Sequence, residues 1–328
     1  MSESTLSLNF DALQKELAYF IGKGRDSTLW TTAEKELIQA IMDSGIRQFL
    51  FPPAIDGEVY QWTFLTPTTS MVAWNDVAVG TNTVTGVYAE PLTTLTAVSD
   101  AFYSNMTSKS VVITDIGTFA VASYTSSKVI VVTGDATCSG KTFSISGDGT
   151  YDMPDACGGV EGLFTFAPTE GYTPIKIIGE GQIRALKQDN TSTSKPVWVC
   201  LRMKTSTGAT GQRWEAVFFP PPDDNYTLSY RSILLPDALA TTKYPLGGMP
   251  HSETVLESCL SIAEQRKNDT VGIHYQKFLE RLKASIEFDK SRGAEFLGYN
   301  GNVSDVEDDR GVYFRSNHVS YNGVIYET

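Results

Sequence analysis

Two amphipathic segments in the tract 247–305 constrain the fold of this chain more than any other feature. Their apolar residues recur every three or four positions, which predicts one helix over about 252–266 and another over about 271–290. Each helix has a single apolar stripe, and such a stripe must be buried against a partner. The stripes consist of Val255, Leu256, Cys259, Leu260 and Ala263 in the first helix, and of Tyr275, Phe278, Leu279, Leu282 and Ile286 in the second.

The first fifty residues predict two more helices with clear caps. Asn9 has the side chain of an N-cap, and apolar residues follow it at helical spacing until Gly22. Thr31 and Glu34 have the spacing of a capping box for the second helix, which Pro52 ends. The apolar stripe of this second helix contains Leu37, Ile38, Ile41, Gly45 and Phe49.

The middle of the chain, over about 57–245, has the alternating pattern of β-strands. Thr, Val, Gly and aromatic residues dominate it, as in 60–64 and 197–203. The breaks between the runs are short and no helix-length periodic segment separates them, so we expect antiparallel strands without parallel β-α-β units. The stretch of about 70–148 is poorer in charge and richer in Thr, Ser and Val, which indicates a possible separate β insert.

The predicted fold class is α+β. Helices at both ends of the chain that each bury one stripe pack most economically together, as a helical bundle with a large antiparallel β region inserted in it and an extended C-terminal tail. The predicted segments are 1–56 and 246–292 for the bundle helices, 57–245 for the β region and 293–328 for the tail. The predicted bundle core contains Leu37, Ile41, Leu256, Leu260, Phe278 and Leu282.

The predicted tail has six aromatic residues among Gly, Asn and Asp, without helical periodicity. A segment this aromatic is atypical of a disordered chain, and we expect it to order against a partner surface. The candidate docking residues are Phe296, Leu297, Tyr299, Asn300, Tyr313 and Phe314.

Composition excludes some classes of function. The net charge is −12 at pH 7, with the acidic residues dispersed, which argues against tight binding of nucleic acid. Two interpretations of this charge stay open: it would repel DNA if the protein lined a channel for DNA, and it would equally serve to keep the protein soluble. The chain has no long apolar run and no signal-peptide pattern, so we expect neither a membrane span nor export. Its four cysteines are far apart, which favours free thiols over disulfide bonds or zinc ligands.

One segment looks like a phosphate-binding loop of nucleotide hydrolases. Gly134, Gly140 and Lys141 follow an apolar strand, as such a loop requires. Five residues separate the two glycines where the loop geometry needs four, however, and the next residues alternate as a strand where a helix is required. We therefore interpret the segment as a hairpin turn.

Other patterns of catalytic or metal-binding residues are equally weak in the sequence. The three histidines lie more than twenty residues apart, which suits helix-surface or capping roles rather than a metal site, and the acidic cluster 305–309 lacks the spacing of a calcium loop. A carboxylate pair for glycoside hydrolysis stays open, because a sequence does not measure the separation of two carboxylates. We predict a protein that is not an enzyme and has no catalytic residues, cofactor or metal.

Three parts of the chain carry patterns of a known family. They are the tract 26–67, the strand-to-loop element 149–162, and the helices and tail of 247–305. They are marked by Trp30, Gly45, Phe49, Trp62, Tyr151, Pro154 and Gly162. These patterns resemble head-to-tail adaptor proteins of tailed bacteriophages, also called connector or neck proteins, whereas the insert of about 70–148 matches no pattern of that family.

The resemblance implies a structural virion protein, made in the cytoplasm of a bacterial host. It implies a ring of twelve subunits in the virion neck that joins the portal protein to tail or neck proteins and lets DNA pass through its centre. Two alternatives stay open. A hexameric tail-tube or neck-completion protein would be predominantly β, so the long terminal helices count against it. A host-receptor or glycan-binding β module would have its function in the segment of about 70–148.

Overall fold

The computed structural model divides the chain into two compact units, Met1–Lys290 and Ser291–Thr328. Within the residues that it describes, the first unit contains thirteen strands arranged in three sheets. The described residues are 3–55, 57, 59–77, 82–107, 109–189, 192–204, 213–269, 271–292, 318–321 and 324–327.

The described residues form five helices and fifteen strands. The helices are α1 (Phe10–Phe20), α2 (Thr32–Leu50), α3 (Glu180–Asp189), α4 (Ser252–Asn268) and α5 (Ile273–Arg292). The strands of the first unit are β1 (Thr68–Ala73), β2 (Thr83–Ala89), β3 (Leu92–Ala97), β4 (Ser110–Ile113), β5 (Gly117–Ser126), β6 (Val129–Thr133), β7 (Cys138–Ile145), β8 (Thr150–Asp152), β9 (Cys157–Phe166), β10 (Lys176–Ile177), β11 (Trp198–Lys204), β12 (Arg213–Phe219) and β13 (Tyr226–Leu234). In the second unit, β14 (His318–Tyr321) pairs antiparallel with β15 (Val324–Glu327).

The individual helices predicted near the two ends of the chain are confirmed, together with their caps. At the start of α1, the backbone N–H of Ala12 donates a hydrogen bond of 2.9 Å to the side-chain oxygen of Asn9. At the start of α2, Thr31 and Glu34 form both hydrogen bonds of a capping box. Because these side chains satisfy N–H groups that a first helical turn leaves unpaired, a short sequence pattern fixes where each helix begins.

The predicted fold class is wrong, because the described part of the chain is mostly β and is not a helical bundle with an inserted β region. Its thirteen strands in the first unit include a closed six-stranded barrel, and the described helices number five. The larger hydrophobic core also lies among the strands. Helix periodicity and caps are strong local signals, whereas strands dominate a fold only through pairing between segments, which no local pattern reveals.

The barrel is formed by β2–β3–β6–β5–β4–β7, and β7 pairs with β2 to close it. All six pairings are antiparallel. Alternate residues point inward, so side chains rather than solvent fill the interior. The buried apolar residues of the barrel strands include Val84, Leu95, Val111, Ile130, Val132 and Phe143.

Two open sheets share this core with the barrel. One has the order β1–β13–β9 and the other the order β10–β11–β12–β8. Trp74, which follows β1, is fully buried, and its indole N–H donates a hydrogen bond of 3.0 Å to the side chain of Asn105. The hydroxyl of Tyr151 in β8 donates to the backbone carbonyl of Trp74. These polar contacts fix the orientation of large buried rings at the junction of the sheets and the barrel.

The expectation of purely antiparallel strands without a β-α-β unit is also wrong. β10 runs parallel to β11, and α3 lies between them in the chain. Ile183 of α3 is buried against Cys200, Val217 and Phe219 of the four-stranded sheet. The sequence pattern did not predict α3, because Gly179 and Gly181 lower the helix propensity at its N-terminus and its apolar stripe is short.

The four remaining helices, α1, α2, α4 and α5, share a second hydrophobic core with residues 60–65 and are called the helix cluster here. Helices α2 and α4 approach closely at Gly45, where a Cβ atom would lie 2.5 Å from the Cα of Cys259. The hydroxyl of Ser258 donates a hydrogen bond of 2.7 Å to the carbonyl of Gly45. Glycine is therefore required where the two backbones come together.

The helix cluster has two different ends. At one end, called the base, the hydroxyl of Ser252 at the start of α4 accepts a hydrogen bond of 3.2 Å from the N–H of Leu8. The same end adjoins the three-stranded sheet, where Ser232 N–H donates to Pro67 C=O at 3.0 Å. At the other end, called the tip, Lys267 donates to the carbonyl of Phe20 at 3.3 Å. The tip therefore contains the α1–α2 and α4–α5 connections.

Candidate interaction surfaces

The outward side of β2, β3, β6 and β5 forms a surface of the barrel without acidic or basic side chains, called the barrel wall here. Across these four strands, the pairing register places Val87, Thr94, Val131 and Ser123 in one row. A second row consists of Thr85, Thr96, Val129 and Ser126. The inward neighbours of these residues fill the barrel, so alternation directs small hydroxyl and branched side chains to the outside.

The tip of the helix cluster exposes apolar side chains. Tyr19, Leu29, Val271 and Ile273 have exposed fractions between 59% and 78%. Charged residues stand beside them: the guanidinium of Arg25 lies 4.6 Å from the centre of the Tyr19 ring and also pairs with Glu16 at 2.9 Å. An apolar group surrounded by charged residues is typical of a site of protein contact.

The base of the cluster contains a buried carboxylate. Asp289 is 3% exposed and accepts hydrogen bonds from the Tyr60 hydroxyl at 2.7 Å and from the Thr63 N–H and hydroxyl at 2.9 and 2.6 Å. Burial by itself would raise the pKa of Asp289, but these hydrogen bonds outweigh it and hold the pKa below its ordinary value. The ionised carboxylate therefore ties α5 to the segment that leads into β1, which is a structural role.

The four-stranded sheet has a row of ion pairs. Lys204 pairs with Asp152 at 2.7 Å, and Arg202 pairs with Glu215. Near them, the amine of Lys187 donates a hydrogen bond of 3.1 Å to the carbonyl of Asp148, and burial lowers the pKa of this amine. Each of these cations has a partner in the sheet or next to it, and the two ion pairs stabilise the pairing of the strands.

Five of the six residues predicted for the bundle core lie in the core of the helix cluster or against it. Ile41, Phe278, Leu282 and Leu260 are buried, and Leu256 is half-buried. Leu37 is 45% exposed, so its placement in the core is corrected. It precedes the buried Ile38 by one position, and one residue is about 100° around a helix, which turns Leu37 away from the core.

The candidate docking residues Phe296, Leu297, Tyr299, Asn300, Tyr313 and Phe314 lie outside the described residues, as does the acidic cluster 305–309. Their docking role stays a prediction.

The segment that looks like a phosphate-binding loop connects two strands of the barrel, β6 and β7. Lys141 and Thr142 lie in β7, and Lys141 pairs with Asp115 at 3.0 Å. The strand that follows Gly140 is as predicted, but the hairpin is wrong, because β6 and β7 are not neighbours in the barrel. The segment crosses an end of the barrel, where Thr93 accepts a hydrogen bond of 2.9 Å from the N–H of Ala136.

The expectation of helix-surface or capping roles holds only in part for the two histidines whose side chains are described. His251 is the N-cap residue of α4, without a side-chain capping hydrogen bond. It is 2% exposed and packs against the rings of Phe49 and Trp62 at the base of the helix cluster, so a surface role is wrong for it. The Nδ1 atom of His274 lies 2.8 Å from a carboxylate oxygen of Glu257. Sequence analysis missed this pair because the two residues belong to different helices. Among the described residues, no three His, Cys, Asp or Glu side chains converge in a way that holds a metal ion.

Comparison with models of known protein families finds no match for this chain, and comparison with curated proteins finds none either. Within the described residues, every helix is too short or too polar to cross a lipid bilayer.

Proposed function

We propose that this chain is a structural virion protein of a tailed bacteriophage, an adaptor that forms a ring between the portal and the tail. The proposal rests on the resemblance of the segments 26–67, 149–162 and 247–305 to such adaptors. It is supported by one observation above all: the first segment and the helices of the last one pack against each other in the helix cluster.

The residues that mark the resemblance occupy positions where contacts are close. The indole N–H of Trp62 donates a hydrogen bond of 2.8 Å to the carbonyl of Phe49, and both rings are fully buried. Gly45 allows α2 to approach Cys259 of α4. Patterns far apart in the sequence thus serve a single packing arrangement.

The tip supplies a contact surface for this function. An adaptor must bind other rings through part of its own surface, and Leu29 and Ile273 are apolar side chains that a partner would cover. The acidic character of the chain, with a net charge of −12, suits the proposed channel, because such a lumen repels the phosphates of passing DNA. Contact with the portal is assigned to the tail as well, through its candidate docking residues.

Negative-stain images of the purified protein, free and mixed with portal rings of the same virus, test the proposal. We expect the chain to assemble on the portal as a ring with a central hole, and we expect Ile273→Asp at the tip to lower its co-sedimentation with the portal by about tenfold or more. Val59→Asp is the matched control, because Val59 is 79% exposed and lies beside Tyr60 at the base of the helix cluster. A monomer that never binds the portal would contradict the adaptor function.

Removal of 293–328 separates the contribution of the tail. We expect the truncated protein to keep the melting transition of the first unit and to lose binding to the portal. Undiminished binding would assign the portal contact to the first unit alone.

One observation favours the second candidate, a hexameric tail-tube or neck-completion protein. The described chain is mostly β, with a closed barrel, and such proteins were expected to be predominantly β. The symmetry of the imaged particles distinguishes the two candidates, since six-fold rings would favour the tail-tube or neck-completion protein.

A further inference from the structure

The barrel wall contrasts with the rest of the chain in charge. Asp, Glu, Lys and Arg account for 20% of all residues, yet none of them occurs in β2, β3, β5 or β6. The row from Val87 to Ser123 runs without interruption across all four strands, and Val87 is 65% exposed. A face of small hydroxyl and branched side chains loses its water at a lower cost than a charged face, because no charge has to be desolvated.

We infer that the barrel wall binds a second copy of this chain in solution. Two copies with a net charge of −12 repel each other across most of their surfaces, and a face without charge is where they meet at the smallest electrostatic cost. The barrel is closed, so its wall has no free strand edge. The contact is therefore made by side chains of two facing walls and not by an added strand.

Two charged residues at opposite ends of the wall indicate how the copies are arranged. Glu90 lies in the turn between β2 and β3, and Lys128 lies in the turn between β5 and β6. The carbonyl of Lys128 accepts a hydrogen bond of 2.8 Å from the N–H of Ala97, which places this turn at the end of β3 opposite to Glu90. A two-fold axis that lies between the walls, perpendicular to the diagonal from Glu90 to Lys128, brings Glu90 of each copy beside Lys128 of the other.

Two more carboxylates lie near the ends of the wall, and both are engaged within their own copy. Asp100 accepts a hydrogen bond of 2.8 Å from the hydroxyl of Ser127, and Asp135 accepts one of 3.0 Å from the N–H of Thr137. The amine of Lys128 donates a long hydrogen bond of 3.4 Å to the carbonyl of Val98 in its own copy, and a lysine ammonium has two further donors. The two cross-copy pairs that we assign are Glu90 with Lys128, twice, around an uncharged centre. An interface of this kind is self-complementary, as two-fold symmetry requires.

The pairing goes beyond the proposed function. A ring repeats one contact head to tail, whereas a two-fold contact closes on itself and involves two copies only. The paired state therefore belongs to the free chain, and it is measured without a portal.

Sedimentation equilibrium of the full chain at fixed salt concentration tests the inference. We expect the wild type to show a reversible monomer–dimer equilibrium. Val87→Asp introduces one carboxylate from each copy into the uncharged contact and raises the dimer dissociation constant by about a hundredfold or more. Val112→Asp is the matched control, because Val112 is 46% exposed on β4 of the same barrel but outside the wall, and its dimer is expected to match the wild type.

Charge reversal tests the two-fold arrangement. Glu90→Lys and Lys128→Glu are each expected to weaken the dimer by about tenfold, and the double variant is expected to restore it, because the two pairs re-form with exchanged signs.

A wild type that stays monomeric, or a dimer that Val87→Asp leaves unchanged, would overturn the inference. A monomeric wild type whose wall binds a glycan on an array, with binding lost in Val87→Asp, would also overturn it and assign the wall to carbohydrate. The rings expected in negative-stain images test only the adaptor function, so the two proposals can fail separately.

Discussion

The helix cluster and the barrel bury apolar side chains with segments that lie at very different distances along the chain. In the helix cluster, Gly45 meets Cys259 and Thr63 meets Asp289, so residues more than two hundred positions apart are in contact. All six strands of the barrel lie within 83–145. The difference indicates that the barrel depends on local chain connectivity, whereas the helix cluster forms only when the two ends of the first unit come together.

The two regions also differ in how polar groups support the packing. The base of the helix cluster uses a buried ionised carboxylate, Asp289, that accepts three hydrogen bonds. The barrel uses a neutral hydroxyl, that of the fully buried Thr93, which donates to Gly134 C=O at 2.6 Å and accepts from Ala136 N–H. A pH change therefore acts on the first arrangement and leaves the second unaffected.

The largest effect is expected at the close approach of α2 and α4. Gly45→Ala adds a methyl group where 2.5 Å separates it from a backbone atom, so the helices must move apart. We expect the free energy of unfolding to fall by about 3 kcal/mol. The control is Gly181→Ala in α3, which has no atom within 4 Å of the new methyl group and is expected to gain under about 1 kcal/mol. Equal denaturant midpoints for the two variants would contradict the close approach.

The second effect tests the buried carboxylate. Asp289→Asn is expected to lower the free energy of unfolding at pH 7 by about 2 kcal/mol, because an amide cannot accept all three hydrogen bonds. The folded-state pKa of Asp289 is lowered, so the stabilisation by its carboxylate is complete above the unfolded-state pKa of about 3.9 and is lost as the pH falls through the folded-state value.

The difference between the wild type and Asp289→Asn is therefore expected to shrink below about pH 4 in urea titrations at several pH values. Asp237→Asn, at an exposed position, serves as the control and is expected to change stability by less than about 0.5 kcal/mol. A difference that stays constant down to about pH 2 would argue against an ionised Asp289.

The smallest effect is expected inside the barrel. Thr93→Val keeps the shape of the side chain but removes one donor and one acceptor, which leaves the carbonyl of Gly134 and the N–H of Ala136 without this partner. We expect a loss of about 1–2 kcal/mol in thermal or urea unfolding, with no dependence on pH. Thr94→Val, on the exposed side of the same strand, is expected to be within about 0.5 kcal/mol of the wild type. Similar losses at both positions would show that the inward and outward sides are assigned incorrectly.

The surfaces show where sequence patterns lose information. The apolar residues of α2 include both Leu37 and Ile38, but the structure buries only Ile38. Successive residues of a helix point about 100° apart, so the side chain of Leu37 lies on the solvent side. Likewise, the low density of charge over about 70–148 is visible in the sequence, but the continuous row of the barrel wall exists only through the register of four strands. Local composition indicates which residues belong to a surface, and strand pairing determines which of them are neighbours.

The sequence alone determined the helices near both ends of the chain, their caps at Asn9 and Thr31, and the strand character of the middle, because capping and periodicity act over a few residues. Tertiary structure alone decided that β7 closes a barrel onto β2, that α3 covers a sheet through a parallel crossover, and that strands outweigh helices in the fold. Those outcomes depend on which distant segments bury each other's apolar faces, and that choice is made by the packing of the whole chain rather than by any short stretch of it.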